Sequence, residues 1–245
     1  MDYYYSLISP PCQSAILVAK KLGITLNLKK TNIHDPVERD ALTKLNPQHT
    51  IPTLVDNGHV VWESYAIVTY LVEVYGKDDT LYPKDPKVRS VVNQRLFFDI
   101  GTLYKQIIDI IHLVVKKEQP TDEQMEKLKK AMDLLEHFLT ERSYAAADHL
   151  TVADICLLGS VTALNWLKYD LEPFPLDDKF RWDRVLNWER WTTPNSGSAT
   201  DGTSDPTEAD GRGSARTQNI CLSVKKVISE GGMSEGRGGT VQGIV

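Results

Sequence analysis

The chain contains no run of about 18 consecutive apolar residues, so it offers no candidate for a membrane-spanning helix. Its first residues, Met1-Asp2 followed by polar tyrosines, lack the apolar centre of a secretory leader, and none is expected. Cysteine is scarce: Cys12, Cys156 and Cys221 are odd in number, far apart, and show neither Cys-x-x-Cys nor metal-ligand spacing. That argues against a disulfide framework and against a thiol oxidoreductase pair, and makes reduced thiols in a cytoplasmic setting the default. Histidine, cysteine and acidic residues do not cluster at ligand spacing either, so no metal is expected. Excess positive charge is also missing. The net charge is -5 and the pI about 5.7, which speaks against nucleic acid as the main partner. No internal repeat is visible. What remains is an ordinary globular composition, 41% hydrophobic and 25% charged over 245 residues, enough for one large or two small domains.

Periodicity divides the chain. Tyr3 to Leu7 reads as a first strand, and after Ser9-Pro10-Pro11 the residues Ala15, Ile16, Val18, Ala19 and Leu22 take helical spacing, closed by Gly23. Thr25 to Leu28 alternates like a second strand, and residues 35 to 46 suit a short exposed helix. Asn57-Gly58 between Thr53–Val55 and His59–Trp62 is the strongest short-range signal for a two-residue hairpin. Ser64 is a natural N-cap for the following helix to Tyr75, with Ile67, Tyr70, Leu71 and Val74 in helical spacing. The order β-α-β-α-β-β-α over about 75 residues is a small mixed sheet with flanking helices. A polar, proline-bearing linker over 78–87 follows, and then long helices at about 88–117 and 121–142. A third runs from the capping-box pattern Thr151-Val-Ala-Asp154 to about Lys168. The fold class is therefore α/β plus all-α, with domains over 1–77 and 88–190. From Trp191 the character changes: only 14 of the last 55 residues are hydrophobic. Such a segment cannot bury enough surface to offset its ordering entropy, so 191–245 is expected to be a disordered tail.

The stretch from Asn46 to Tyr65 has the makings of a ligand-binding edge. A proline turn at Ile51-Pro52 lies next to a helix start at Glu63-Ser64, where unpaired backbone N–H groups suit a carboxylate. Together with Ser9-Pro10-Pro11-Cys12, Tyr75-Gly76-Lys77, Leu81-Tyr82-Pro83, Asn93-Gln94-Arg95-Leu96, Gly101-Thr102-Leu103-Tyr104 and Leu150 to Asp154, this stretch resembles the glutathione transferases, most closely the insect delta class. The likeness runs from residue 1 to about 175. It implies a thioredoxin-like N-terminal domain, an all-helical second domain, a homodimer, and conjugation of glutathione to small hydrophobic electrophiles, with dehydrochlorination and peroxide reduction as related activities. Glutathione is then a co-substrate and no cofactor is needed.

The resemblance also assigns residues. It makes Ser9 the catalytic serine, whose hydroxyl donates to the glutathione thiolate. From pattern alone Ser9 reads as a helix cap. A free thiol of this kind has a pKa of roughly 8.5, so a donor at a helix N-terminus that stabilises S⁻ raises the nucleophilic fraction. Tyr5 ranks second, since other classes use a first-strand tyrosine. Cys12 reads as a buried core thiol. For glutathione the pattern carries over to His49 at the glycyl carboxylate and to the backbone of Ile51 ahead of a cis Pro52. Glu63 is assigned the γ-glutamyl ammonium, and Ser64 the γ-glutamyl carboxylate. The electrophile pocket falls to Tyr104, Ile107, Ile108 and Ile111, and further to Val115, although an aliphatic stripe at this spacing is more often core.

Two positions depart from the pattern, since Tyr65 and Gln13 stand where the class usually has arginine: Tyr65 removes a cation near the γ-glutamyl end, which lowers the expected glutathione affinity, and the partner of nearby Asp99 is left open. After Phe180 the sequence has no counterpart in the family pattern. A binding protein of the same fold without activity is the alternative that this divergence and Tyr65 leave standing.

Overall fold

Alternation in the first strand decides which tyrosines enter the core. In β1 (Asp2–Tyr5) Tyr3 and Tyr5 are buried while Tyr4 is only partly so. A computed structural model describes residues 1–140 and 142–164. Helix α1 (Pro10–Leu22) opens with two prolines in its first turn, where a missing N–H leaves no bond unmade. It ends on Gly23 in the left-handed region (φ 72), whose N–H returns to Lys20 while that of Ile24 returns to Ala19. Strand β2 (Asn27–Lys30) lies two residues later than the alternation at 25–28 suggests. Its register is set by parallel pairing with β1, with Asp2 opposite Asn27 and the Asn27 amide donating to the Asp2 carboxylate at 2.6 Å. Helix α2 (Pro36–Thr43) starts on the Asp35 carboxylate, which accepts from the Val37 and Glu38 N–H groups. Strands β3 (Thr53–Asp56) and β4 (His59–Trp62) form the expected hairpin, with Asn57 at φ 48 and Gly58 at φ 85. The sheet order is β2-β1-β3-β4, parallel between β1 and β2 and antiparallel elsewhere. Helix α3 (Ser64–Tyr75) follows β4 directly.

Beyond the segment from Gly76 to Asp85, sequence periodicity suggests one helix over 88–117. The structure instead has α4 (Pro86–Phe98), capped by the Asp85 carboxylate, then a single π-helical turn at Asp99–Leu103, then α5 (Tyr104–Val115). The extra residue of a π turn is invisible to a 3.6-residue pattern, and such turns gather at functional sites. Helix α6 (Asp122–Thr140) packs on α5, and α7 (Val152–Thr162) is buried along its whole length. At the start of α7 the Thr151 N–H and hydroxyl both donate to Asp154 at 2.8 Å, closing the predicted capping interaction.

One continuous core joins the two parts, because α1 packs against α3 on one side and α7 on the other. Gly159 makes that approach possible: a Cβ there would lie 2.5 Å from the Ser14 hydroxyl oxygen and 3.2 Å from the Pro10 carbonyl oxygen. Among the described residues no helix is long and apolar enough to cross a membrane. The expected tail at 191–245, and the extension of the third helix towards Lys168, lie outside the described residues.

Candidate active site

The topology gathers the predicted residues at one end of the sheet. Ser9 follows the C-terminal end of β1, residues 49–52 precede the N-terminal end of β3, and Glu63-Ser64 follow the C-terminal end of β4. Since β1 and β4 both run antiparallel to β3, these three ends coincide.

The loop before β3 is built on Asn46, which is fully buried. Its amide donates to the Thr50 carbonyl and hydroxyl at 3.1 Å and to the Thr53 hydroxyl at 3.0 Å, and its carbonyl oxygen accepts from the Gln48 N–H at 2.9 Å. The Thr53 hydroxyl closes the turn onto the Thr50 carbonyl at 2.8 Å, and Trp62 of β4 donates to Gln48 at 2.5 Å. This scaffold leaves His49 exposed at φ 44, and its N–H bonds the Asn46 carbonyl at 2.8 Å. The Ile51–Pro52 peptide bond is cis, and Ile51 lies beyond the β3–β4 ladder, which ends at the Thr53–Trp62 pair. Asn46 was missed as a site residue. Its signal is a short polar side chain followed by threonines at the fourth and seventh positions, all able to bond within one loop.

At the start of α3 the structure corrects the cap. Glu63, not Ser64, is the N-cap residue, and its carbonyl accepts from the Ile67 N–H at 3.0 Å, so the first turn closes one residue earlier than Ser64 would allow. Ser64 is the first helical residue and is buried, while the exposed Glu63 carboxylate caps nothing. The first-turn N–H groups therefore have no intrahelical acceptor and point away from the helix. Glu63 sits at φ 68, ψ 111, a conformation that costs a side-chain-bearing residue roughly 1–3 kcal/mol and concentrates at ligand sites.

Ser9 is the N-cap residue of α1 by position, yet its side chain makes no capping hydrogen bond. The hydroxyl lies beside the thiol of Cys12, where it opposes the burial that pushes this cysteine up to about 11. Cys12 is wholly buried, as a core thiol should be. The Tyr3 hydroxyl donates to the Cys12 carbonyl at 2.9 Å, and burial raises the pKa of both Tyr3 and Tyr5. Tyr5 thus belongs to the core and to the stack with Tyr3. Gln13 donates to the Leu7 carbonyl at 2.6 Å and braces the turn that carries Ser9. Leu7 and Ile8, just before Ser9, are exposed apolar residues that the sequence reading did not single out.

On α5 the predicted pocket residues divide. Tyr104, Ile108 and Ile111 are partly exposed, whereas Ile107 is fully buried and belongs to the core instead of an open wall. Val115 is 68% exposed at the far end of the helix. Burial raises the pKa of Tyr104, with Cys12 and Asp99 adding to the effect, which sets this phenol between the start of α1 and the π turn. The partner of Asp99 is Tyr65, whose hydroxyl donates to Oδ2. Asp99 is inaccessible to solvent, and among the described residues Oδ1 has no hydrogen bond. Burial pushes the carboxyl up to about 6, opposed by the Tyr65 and Ser160 hydroxyls.

Comparison with known proteins matches the glutathione S-transferase N-terminal domain over residues 4–79 and the glutathione S-transferase C-terminal domain over residues 67–186. The latter match reaches past the limit near residue 175 read from the motifs. Among solved structures the chain is similar to glutathione S-transferase 1-6 from Anopheles dirus species B. The two are 71% identical, over 94% of this chain and 100% of that one, with a TM-score of 0.75. A delta-class glutathione transferase from Nilaparvata lugens is 35% identical over 92% and 98%, with a TM-score of 0.71. An epsilon-class enzyme from the housefly Musca domestica is 32% identical over 92% and 97%, also at 0.71.

Proposed function

Because this chain belongs to the glutathione S-transferase family and is a glutathione transferase, we propose that Ser9 is its catalytic residue and that the sheet end described above receives glutathione. The carrying observation is the Ser9 hydroxyl, held at a helix N-terminus without serving the cap. A donor so placed stabilises the substrate's S⁻ over its S–H form and lowers the thiol pKa. Ser9 itself attacks nothing.

In this reading Ile51 meets the cysteinyl backbone of glutathione in the manner of an added strand, ahead of Pro52, and His49 meets the glycyl carboxylate. Ser64 receives the γ-glutamyl carboxylate at the start of α3, where unpaired N–H groups and the helix dipole favour an anion, and Glu63 pairs with the γ-glutamyl ammonium. The electrophile is small and hydrophobic and lies against Tyr104, Ile108 and Ile111. The working form is a homodimer in the cytoplasm. The alternative of a binding protein without activity has no observation in its favour.

The test is a conjugation assay with a chlorinated aromatic electrophile on the full chain and on Ser9→Ala, alongside ultraviolet titration of the bound thiolate. A fall of about 10²–10³ in kcat/KM, with the bound thiol pKa moving back towards that of free glutathione, is expected for loss of one preorganised donor. Activity and thiol pKa unchanged in Ser9→Ala would remove the serine from the mechanism.

A further inference from the structure

Tyr65 is bonded in sequence to Ser64 and leaves the same first turn of α3, yet its hydroxyl ends on Asp99, in the π turn that immediately precedes Tyr104. One hydrogen bond thereby joins the turn assigned to the γ-glutamyl end of glutathione with the helix assigned to the electrophile. We propose that Tyr65 and Asp99 are positioning residues, forming a latch that holds the first turn of α3 in its glutathione-receiving position and couples it to the electrophile wall on α5. The proposal rests on the roles given above to Glu63 and Ser64.

Three observations support it. Asp99 has no solvent contact, accepts from Tyr65 through Oδ2, and leaves Oδ1 unbonded among the described residues. Even with the Ser160 hydroxyl beside it, a wholly buried carboxylate with no backbone donor among its hydrogen bonds is expensive for a fold to keep, and calls for a reason beyond packing. The π turn supplies the geometry, because the added residue sets Asp99 inward at the start of the insertion and Tyr104 just past its end. Finally, Glu63 beside the latch is held in a conformation that only its surroundings can enforce, and Tyr65, two positions along, is the anchor nearest to it in sequence.

The charge of Asp99 sets the strength of the latch. The groups that face it are Tyr65 from α3, Tyr104 from α5, and Cys156 and Ser160 from α7. The phenols and the thiol are all pushed upward, so they stay neutral near pH 6 and Asp99 is the member that changes charge there. Ionised, it accepts a charge-assisted hydrogen bond from Tyr65; protonated by solvent, it keeps only an ordinary one. KM for glutathione is therefore expected to rise as the pH falls through about 6, separately from the ionisation of the thiol.

The test compares the full chain with Tyr65→Phe, Asp99→Asn and the double variant, measuring kcat and KM for glutathione from pH 5.5 to 8, and glutathione binding by calorimetry. Tyr65→Phe is expected to raise KM for glutathione about 10- to 100-fold, as loss of one hydrogen bond to a charged group would, with kcat at saturation within about threefold. Asp99→Asn should flatten the acid limb of the KM profile. The double variant should be no worse than Tyr65→Phe alone, because Tyr65→Phe already removes the bond that Asp99→Asn only weakens. A KM within twofold of the parent in Tyr65→Phe, an acid limb that survives Asp99→Asn, or effects that multiply in the double variant would each overturn the latch. Should Tyr65→Phe fail to fold, the nearly isosteric Asp99→Asn and its pH profile decide the question. Failure of the Ser9 reading is distinguishable, since it appears as an active Ser9→Ala whose KM still responds to Tyr65→Phe. Failure of the Ser64 reading appears as a Ser64→Ala variant that binds glutathione normally while Tyr65→Phe does not.

Discussion

Asp99 and Asp154 lie in the same helical region, both without solvent contact, and the protein around them has been built in opposite ways. Asp154 accepts from the Ala145 N–H on Oδ1 and from the Thr151 N–H and hydroxyl on Oδ2, each at 2.8 Å. Burial pushes its pKa up, and those donors oppose the push. Asp99 has the Tyr65 hydroxyl on one oxygen and, among the described residues, no hydrogen bond on the other. The first carboxylate starts a helix and ties the 145–151 segment to it. The second joins the glutathione-facing domain to the helical one and is left half satisfied. The first carboxylate is met mainly by backbone donors, whereas the second is met by side-chain hydroxyls, from Tyr65 of one domain and Ser160 of the other.

The sharpest test of this contrast is Asp154→Ala. It strands two backbone N–H groups and a hydroxyl inside the core, at roughly 1–3 kcal/mol for each unsatisfied donor, so a total loss of about 3–5 kcal/mol is expected. Urea unfolding followed by tryptophan fluorescence would measure it. A loss under about 1 kcal/mol would show that these donors find other acceptors, and the comparison would collapse. Next in size is Gly159→Ala, which sets a methyl 2.5 Å from the Ser14 hydroxyl and 3.2 Å from the Pro10 carbonyl. Backbone at the second contact cannot swing aside as a side chain can, so α1 and α7 must part slightly. A loss of about 1–3 kcal/mol is expected from overpacking of this kind. Since Ser9 stands at the same end of α1, kcat/KM should fall along with the melting temperature, and a variant that is destabilised yet fully active would show that the site tolerates the shift.

How far the sequence reaches follows the same division. Features carried by consecutive residues were legible: the Asn57-Gly58 hairpin, the Gly23 stop, the Thr151–Asp154 cap, and the element order through residue 75 all appear where local chemistry puts them. Features decided by distant partners were not. The strand at 27–30 took its register from β1 and not from its own alternation. Ser64 passed its cap position to Glu63 because the chain enters α3 at a positive φ that no propensity favours. The π turn is one extra residue inside a helical pattern, which averaging over periodicity removes. Ile107 shared its spacing with true surface positions and differs only in what packs over it. The Tyr65–Asp99 pair spans 34 residues and two domains. The sequence marked Tyr65 as a lost cation, and only the fold shows what the phenol does instead.

The smallest expected effect bears most directly on the contrast, because it asks whether Asp99 lowers stability where Asp154 raises it. The folded-state carboxyl lies at about 6 against an ordinary 3.8. Between those values the folded state holds a proton that the unfolded chain has released, so this group's contribution to stability is present below about pH 4 and is lost as the pH rises through 6. Two pKa units correspond to about 3 kcal/mol as an upper figure. Asp99→Asn keeps an oxygen to accept from Tyr65 and carries no charge, so it should be the more stable protein at pH 7.5. Its new N–H donors reduce the gain to about 1–2 kcal/mol, or several degrees in Tm for a domain of this size. At pH 4, where Asp99 is protonated in the folded state and only the cost of the new donors remains, the variant should melt at or below its parent. Paired thermal scans at the two pH values decide the matter. A variant less stable than its parent at pH 7.5 would mean that the ionised carboxylate is well solvated or paired in the folded state. Asp99 would then be a second structural aspartate of the Asp154 kind. A gain at pH 7.5 that vanishes at pH 4, alongside a raised KM for glutathione, would identify a residue kept at the expense of stability for what it does at the site.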